Sequence, residues 1–350
     1  MATLNAKQLK ARWAHAIPVS SNPAEALLLA TASFTVSPFG ATNGRLDFRG
    51  VSIAGCAETK TSTIESVPAG ITLFNLALKR IDFTGASFED IQFFDCVISD
   101  CVFDLCFWRS ILFWGKSKIV DCSFLKSKLH AIGFNEADID RCHFIKTKWI
   151  SRYNYFKMVR FGDCVFEGPI NGLNFGSAIL RACKFIGDLH DVTFCGWKTY
   201  PHPQRVVTGT EPGQGYWLET PFELIPNKME GVDFSQATMR MTNLHYYCYL
   251  HRVILPSLET HCVIVRSPKL KEALESAVKQ KFSSSNLEAS RDAMLSQMHW
   301  FNYHAYVPHY IIHRDSFRNL SSEDSDALFL LTAEVAEALN LRLTNTASHL

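Results

Sequence analysis

The chain has 350 residues, of which 47% are hydrophobic, and its formal net charge at pH 7 is only +1. That length suits one large domain or two smaller ones, and the near-neutral charge excludes a general attraction to nucleic acid or anionic membranes. No apolar run is long enough to cross a bilayer, and the first residues lack the apolar segment of a signal peptide, so we expect neither a membrane segment nor a leader.

Residues 1–45 contain two candidate helices, at 6–16 and 23–30; a proline lies shortly after the first and begins the second. Proline is tolerated in the first turn of a helix and ends a helix that precedes it. Because the open end of a stack of strands leaves backbone groups unpaired, we predict that this region caps the repeats that follow. Residues 56–70, rich in Thr, Ser and Glu, are predicted to form a loop.

Residues 71–195 repeat at close to twenty residues. Five Cys-x-Phe triplets mark the repeat, and successive triplets are 21, 20, 22 and 19 residues apart. Within each repeat a large apolar side chain recurs at about every fifth residue, a period that fits neither an α-helix nor a flat strand. A chain that turns a corner every five residues and closes one coil after four corners has this period. The triplets are Cys101 to Phe103, Cys122 to Phe124, Cys142 to Phe144, Cys164 to Phe166 and Cys183 to Phe185.

This pattern resembles that of the pentapeptide-repeat family, in a variant centred on Phe and rich in Cys. The resemblance implies a mainly β fold, a right-handed quadrilateral β-helix, over residues 46–244, with its regular core at 71–195. Segments around Phe48 and Phe234 read as outlying pieces of the same coil. About six regular coils, each rising roughly 4.8 Å, would form a rod roughly 29 Å long.

Seven of the eleven cysteines occupy the small inward position of the repeat. We predict a ladder of buried free thiols, because free Cys packs as a small hydrophobe and parallel side chains on neighbouring coils make poor disulfide geometry. No Cys-x-x-Cys pair is present, so neither a metal nor a cofactor is predicted. Many buried thiols favour a reducing compartment, which indicates the cytoplasm, or the host cytosol for a secreted effector.

The remainder of the chain loses the period of five. Residues 196–231 are rich in Pro and Gly and are predicted to form a loop excursion, either functional or mobile. From residue 245 onward helical signals replace the repeat, with predicted helices at 267–282, 286–303 and 322–343. We predict a helical C-terminal module over 245–350 that either caps the rod or forms a homodimer through its helices.

Two groups of residues in this module were considered for chemistry. Seven of the thirteen histidines lie between residues 245 and 313, but their spacing does not converge on a metal site, so packing or surface roles are predicted. Cys248 and Cys262 were considered as nucleophiles, since some secreted bacterial ubiquitin ligases join a pentapeptide-type β-helix to a HECT-like region. Only 88 residues follow Cys262, too few for such a region. We therefore predict that the chain is not an enzyme.

The segment 141–160 contains six basic residues and no acidic residue, with aromatic residues between them. We call this segment the basic coil. Its charges should ring the rod, because one coil passes over all four sides. We predict an anionic docking site there, with a solvated belt of charge as the alternative. The candidate partner-binding residues are Arg141, Lys146, Lys148, Trp149, Arg152, Tyr153, Lys157 and Arg160.

Three functions are consistent with these features. The first is a non-catalytic protein–protein interaction scaffold with a protein partner, no membrane association and no nucleic-acid role. The second, implied by the family resemblance, is a DNA mimic that binds the topoisomerase DNA gyrase and confers resistance; residues 71–195 carry 15 basic and 14 acidic residues, a net of +1, which disfavours this role. The third is a secreted bacterial effector whose C-terminal module carries an activity involving His304 and His309. We predict the scaffold.

Overall fold

The computed structural model of the protein is dominated by short parallel strands that stack into a β-solenoid, with helices at its two ends. It describes residues 5–13, 37–54, 71–150, 154, 156, 158–176, 178–199, 205–207, 215–217, 223–225, 227–245, 248–301, 309–317 and 319–344. The prediction of a mainly β solenoid with helices near the C-terminus is confirmed.

The corners of the coil explain the period of five. Asp100, Asp121, Arg141 and Asp163 occupy the same corner of four successive coils, and all have a positive φ between 49° and 55°. The left-handed conformation turns the chain, and Asp tolerates it better than most residues. At each of these corners the backbone N–H donates to a carbonyl of the next coil, as from Asp100 to Val120 at 3.0 Å. The turn is therefore stabilised by stacking, and it recurs because each coil supplies an acceptor to its neighbour.

Four faces of parallel strands surround the interior. Face 1 consists of Ala77–Lys79, Val97–Ser99, Lys118–Val120, Asp138–Asp140, Arg160–Gly162 and Ile179–Arg181. Face 2 consists of Arg45–Asp47, Ile81–Asp82, His143–Ile145, Val165–Glu167 and the first parts of Lys184–His190 and Asp233–Arg240. Bridges at Val102 and Ser123 complete face 2, while Ala41–Thr42 pairs antiparallel with its first strand.

The other two faces share several long strands that bend at a corner. Face 3 consists of Ser52–Ala54, Lys148–Trp149, Ile170–Asn171, the last parts of Lys184–His190 and Asp233–Arg240, and the first parts of Ser87–Phe94, Phe107–Trp114 and Lys128–Phe134. Face 4 consists of Ile71–Phe74, Asn174–Phe175, Thr193–Cys195, Asn243–His245 and the last parts of Ser87–Phe94, Phe107–Trp114 and Lys128–Phe134.

Stacked aromatic rings fill the interior along face 2. The ring of Phe144 lies between those of Phe124 and Phe166, with centroids 4.8 and 5.0 Å away and nearly parallel planes. The same ladder continues from Phe103 to Phe124 at 5.2 Å and from Phe166 to Phe185 at 4.9 Å. Because each ring covers the next, a single coil could not bury these side chains alone, and the coils stabilise one another.

A second ladder, on face 4, contains a ring that the sequence pattern did not reveal. The ring of Phe156 lies between those of Phe134 and Phe175, with centroids 5.8 and 5.2 Å away. This coil has two extra residues, so Phe156 does not fall at the position that the five-residue period predicts. Asn154 takes the inward place before Phe156, and its side-chain oxygen accepts from the Ile132 N–H at 3.0 Å. The insertion is therefore absorbed without breaking the core.

The cysteine side chains point into the solenoid and bond to its backbone. Cys142 Sγ lies 3.4 Å from the carbonyl oxygens of both Ile119 and Asp140, and Cys122 Sγ lies 3.2 Å from that of Val120. All ten described cysteines are free thiols, and nine of them are buried. The five triplet cysteines stack on successive coils: Cys101, Cys122, Cys142, Cys164 and Cys183.

Thiol labelling should distinguish these cysteines from accessible ones. Burial raises the pKa of the Cys106 thiol, and the protonated thiol is the unreactive form. In a Cys56→Ser variant, which removes the cysteine outside the described residues, we expect Cys195 alone to be labelled by iodoacetamide in the native state. The other thiols should react only in denaturant, as read by peptide mass spectrometry. Rapid native labelling of Cys142 would contradict the buried ladder.

The N-terminal helix α1, Ala6–Ala11, covers the first coil. Leu9 of α1 is buried, and its backbone lies so close to Gly50 that a Cβ there would come within 2.5 Å of it. Burial alone would raise the pKa of Asp47, but hydrogen bonds from Arg12 and Arg49 lower it well below its usual range. The predicted helix at 6–16 is thus observed as far as residue 11, and the second candidate helix, at 23–30, lies outside the described residues.

The excursion at 196–231 contains two pairs of antiparallel strands. Trp197–Thr199 pairs with Glu223–Ile225, and Arg205–Val207 pairs with Gly215–Trp217. The chain returns to the solenoid at Asn227, a buried residue whose side-chain NH₂ donates to the carbonyl of Ala178 at 2.8 Å. Parallel bridges at Cys248 and Ile254 carry the stacking beyond residue 244. The division at residues 45 and 244 stays a prediction.

The C-terminal part contains three helices: α2, Pro268–Lys281; α3, Glu288–Ser296; and α4, Ser322–Ala338. Short 3-10 turns lie at Ser285–Leu287, Gln297–Phe301 and Arg314–Ser316. The side chains of Ser267 and Ser321 cap α2 and α4 by accepting backbone N–H groups at 3.2 and 3.1 Å.

A two-stranded antiparallel sheet, His261–Val265 with His309–His313, lies beside these helices. The predicted helices are accompanied by strands that were not predicted. Leu328 and Leu331 of α4 belong to the buried core of this part of the chain, so these side chains are not available to a homodimer interface. None of the helices in the described part of the chain has the length and apolarity needed to cross a bilayer.

Candidate functional site

The structure distributes the basic coil around the solenoid. Arg160 lies on face 1, Arg141 at the corner between faces 1 and 2, Lys146 at the corner between faces 2 and 3, and Lys148 on face 3. These four side chains are exposed and point in different directions. Three further candidates, Arg152, Tyr153 and Lys157, lie outside the described residues. The basic coil therefore encircles the rod and does not by itself form one patch.

The two arginines of the basic coil already have acidic partners. Arg141 bonds to Asp121 at 2.7 Å and also to Asp140, and Arg160 bonds to Asp138 at 2.5 Å. These pairs cross from one coil to the next and continue an alternation of acidic and basic residues along face 1. A shallow groove above Gly162 runs between them, lined by both signs of charge. Face 1 is thus electrostatically balanced.

Trp149 contributes to the core more than to the surface. Its ring centroid lies 5.6 Å from both Phe144 and Phe156, and the side chain is only partly exposed. Its ring packs against one member of each aromatic ladder.

Stacking creates a basic cluster that the linear sequence did not reveal. Lys126 and Lys146 occupy the same corner of consecutive coils, with φ of 54° and 52°, and the Lys126 N–H donates to the Ile145 carbonyl at 2.8 Å. Lys128 and Lys148 are direct partners on face 3. We call Lys126, Lys128, Lys146 and Lys148 the lysine quartet. All four side chains are exposed, and none takes part in an ion pair among the described residues.

Apolar side chains border the lysine quartet. Leu105 occupies the same corner one coil earlier and is 56% exposed, and Phe107 is the partner of Lys128 on face 3. Leu125 and Ile145 lie half-buried on face 2, and Ile150 on face 3 is 51% exposed. We call the lysine quartet together with these five residues the quartet surface. It combines unneutralised positive charge with accessible apolar area.

Face 4 carries a separate exposed feature near the N-terminal end of the solenoid. Phe74, which is 65% exposed, stacks on Phe94 at 5.3 Å, and Phe94 stacks on Trp114 at 5.9 Å. This column of outward rings lies at the far side of the molecule's cross-section from the lysine quartet's corner.

Three histidines of the His-rich segment are buried where the solenoid meets the C-terminal sheet. His261 Nε2 accepts the Met239 N–H at 2.9 Å, and its Nδ1 lies 3.0 Å from the Ser257 carbonyl. The ring of His313 is 4.8 Å from that of His261, and His309 Nδ1 lies 3.4 Å from the Cys248 carbonyl. Burial lowers the pKa of both His261 and His309 to about 4. These histidines are neutral packing groups at neutral pH.

The candidate nucleophiles are shielded thiols. Burial raises the pKa of Cys262 to about 11 and also raises that of Cys248. The thiolate is the reactive form, so neither residue is activated. Within the described ranges, no three His, Cys, Asp or Glu side chains are grouped so as to hold a metal ion. His304, named with the effector hypothesis, lies outside the described residues.

The four-sided coil, the five-residue side and the pairing of strands one repeat apart define the class of fold: this chain is a four-sided, mainly parallel β-solenoid. Paired residues on face 2, such as His143 with Val165 and Phe166 with Phe185, are separated by the same steps as the sequence repeat. The coil predicted from the Cys-x-Phe triplets is confirmed as a fold.

Solved structures of pentapeptide-repeat proteins are similar to this chain at low identity. The Rfr23 protein from the cyanobacterium Cyanothece 51142 is 8% identical over 35% of this chain and 88% of its own, with a TM-score of 0.26. HetL from Nostoc sp. strain PCC 7120, described as involved in heterocyst differentiation regulation, is 13% identical over 53% and 87%, with a TM-score of 0.21. QnrB1, described as a plasmid-mediated fluoroquinolone resistance protein, is 11% identical over 57% and 89%, with a TM-score of 0.14.

No family model and no curated protein sequence matches the chain. At these identities and TM-scores the structural matches support no statement about function, and the class depends on the strand registers of the chain itself.

Proposed function

We propose that this protein is a non-catalytic protein–protein interaction scaffold. The observation that carries the proposal is the filled interior of the solenoid: ladders of stacked aromatic rings and inward thiols occupy the space between the four faces. The outer faces are the surfaces that remain for a ligand. Large flat faces of this kind suit a partner that is itself a protein surface or segment.

Rigidity supports the same proposal. Successive coils are tied by backbone hydrogen bonds on every face, so the outward side chains are held at fixed spacings of roughly 4.8 Å along the rod. A surface that is ordered before binding loses little conformational entropy when a partner docks. The solenoid therefore presents preorganised columns of side chains, which is what a scaffold requires.

The two alternatives have less support. A DNA mimic needs an acidic rod, whereas residues 71–195 carry 15 basic and 14 acidic residues, a net of +1, and face 1 alternates the two signs. An effector activity at His309 would need an accessible imidazole, and His309 is only 1% exposed. The scaffold is the function that the geometry supports best.

Site-specific photo-crosslinking in source cells would test the scaffold. A photoreactive amino acid is placed at one outward apolar position per face, at Val97, Val165, Ile150 and Phe74, and at Leu330 on α4 as the comparison. We expect a defined protein to be crosslinked from one or two adjacent faces and not from the others. Crosslinks from Leu330 alone, or none above background from any face, would contradict a scaffold role for the solenoid.

A further inference from the structure

We propose that the quartet surface is the docking site for an acidic, extended segment of a partner protein, in which Asp or Glu residues alternate with large apolar residues. The proposal rests on the scaffold function and names the chemistry of its partner. It requires that the lysine quartet attract carboxylates and that the apolar residues beside it be covered on binding.

The charge distribution provides the first argument. Several arginines of the solenoid are paired with carboxylates, as Arg109 is with Glu89 and Arg181 with Asp163. The nearby Asp104 carboxylate is occupied by the Ser123 hydroxyl and the Leu125 N–H, at 2.5 and 2.9 Å. The lysine quartet places four positive charges on two adjacent coils, and within the described part of the chain none of them is within ion-pair distance of a carboxylate. Their mutual repulsion is relieved when a ligand supplies negative charge.

The spacing of the lysine quartet provides the second argument. Lys126 and Lys128 are two residues apart on one coil, and Lys146 and Lys148 repeat that arrangement on the next coil. In an extended peptide, side chains two residues apart lie on one side at roughly 6.6 Å, and neighbouring coils are roughly 4.8 Å apart. Acidic residues at alternate positions of a segment that follows a coil round this corner can therefore reach both of its lysines.

The apolar border selects a protein segment over a nucleic acid. Leu105 and Ile150 are more than half exposed, and Phe107 is the partner of Lys128 on face 3. A phosphate backbone would leave these side chains uncovered, whereas Leu or Phe side chains of a peptide would bury them. The basic area also spans only two coils, which is short for the several phosphate contacts that nucleic-acid binding uses.

Fluorescence anisotropy with the intact chain would test the proposal. The probe is a labelled peptide of about twelve residues that alternates Asp or Glu with Leu or Phe, an extended pattern with charged and apolar sides. Three comparison probes change one property each: carboxamides replace the carboxylates, Ser replaces the apolar residues, or a single-stranded oligonucleotide of equal charge replaces the peptide. We expect the first peptide to bind most tightly, and its affinity to fall as salt is raised.

Charge reversal would locate the site. The test variant carries Lys126→Glu, Lys128→Glu, Lys146→Glu and Lys148→Glu. The matched control carries Lys79→Glu, Lys116→Glu, Lys118→Glu and Lys228→Glu, four exposed lysines elsewhere with the same change in net charge. We expect about a tenfold or greater loss of affinity in the test variant and less than about twofold in the control. Circular dichroism and melting temperature establish that both variants are folded.

Several results would overturn the proposal. If the two charge-reversal variants bound the acidic peptide with equal affinity, the lysine quartet would not be part of the binding site. Equal binding of the carboxamide peptide would remove the role of charge, and equal binding of the Ser peptide would remove that of the apolar border. Tighter binding of the oligonucleotide would favour nucleic acid. In each case a crosslinked partner on another face would leave the scaffold function standing, so the two failures are distinguishable.

Discussion

Phe144→Asp should unfold the solenoid. Phe144 is 2% exposed, and its ring is stacked between Phe124 and Phe166 at 4.8 and 5.0 Å. Removing the ring costs about 3–5 kcal/mol, and an unpaired buried carboxylate adds several more. Since a domain of this kind is stable by only about 5–15 kcal/mol, one such change is a large part of the total.

The adjacent residue provides the matched control. His143 lies in the same strand, precedes Phe144 directly and is exposed, because alternate residues of a strand point in opposite directions. His143→Asp introduces the same side chain on the same coil, and we expect its melting temperature to change by only a few degrees. Far-ultraviolet circular dichroism and thermal melting are the measurements. A Phe144→Asp protein that kept its β signal and melting temperature would contradict the stacked core.

Acidification from pH 7 to about 4.5 should destabilise the junction between the solenoid and the C-terminal sheet. Burial lowers the pKa of His261 and of His309 to about 4, below the value of 6.5 expected in the unfolded chain. The unfolded state therefore binds protons first as the pH falls. Stability is complete above pH 6.5 and declines between 6.5 and 4, by roughly 3 kcal/mol for each histidine once both states are protonated.

The surroundings of these rings explain why their pKa values are lowered and why acid destabilises the junction. His261 uses Nε2 as an acceptor for the Met239 N–H, so a proton on that nitrogen would remove the bond. Burial, the neighbouring His313 and Arg240 all disfavour a charge on His261, while His251 does so for His309. Asp315 and Asp188 favour a charge on His313, although burial still lowers its pKa. Acidification therefore breaks an internal hydrogen bond and places like charges together.

Urea unfolding at a series of pH values would measure the effect. We expect the free energy of unfolding to fall between pH 6.5 and 4.5 with a slope that corresponds to uptake of two to three protons. His299→Gln, at an exposed histidine of the same part of the chain, should leave that slope unchanged. Hydrogen exchange should show early loss of protection at Met239 and in strand His309–His313. A flat profile over this range would contradict the role of the buried histidines.

The solenoid was largely predictable because its contacts are nearly local. Phe124 and Phe144 are twenty residues apart and stack directly, so the period of the chain is also the period of the packing. Irregular coils limited this approach. Phe156 belongs to the ladder on face 4, but two extra residues in its coil move it off the five-residue period. The C-terminal sheet was missed for two reasons. Its strands are short apolar runs, which periodicity cannot distinguish from helix. Its paired residues are also far apart in the chain, as Val263 and Ile311 are by 48 residues.

The charged residues of the candidate site were only partly predictable from their order in the sequence. The basic coil was chosen because its charges are consecutive along the chain, yet Arg141 and Arg160 are neutralised by aspartates on neighbouring coils. Lys126 and Lys128 were overlooked because they precede the basic coil. They lie beside Lys146 and Lys148 only after one full turn of the chain. The twenty-residue offset between the two pairs was the available signal.

The sequence by itself determined that each side of the coil is five residues long. It also determined the inward Phe and Cys columns and the stacking of one coil on the next. These features follow from a local alternation of inward and outward residues, and each coil repeats the same interactions with its neighbour. Only the tertiary structure decided which outward charges were neutralised, which lysines came together and which histidines were buried at the junction. Such properties depend on neighbours across coils or across distant segments, and the electrostatic environment of a side chain is set by those neighbours and by burial.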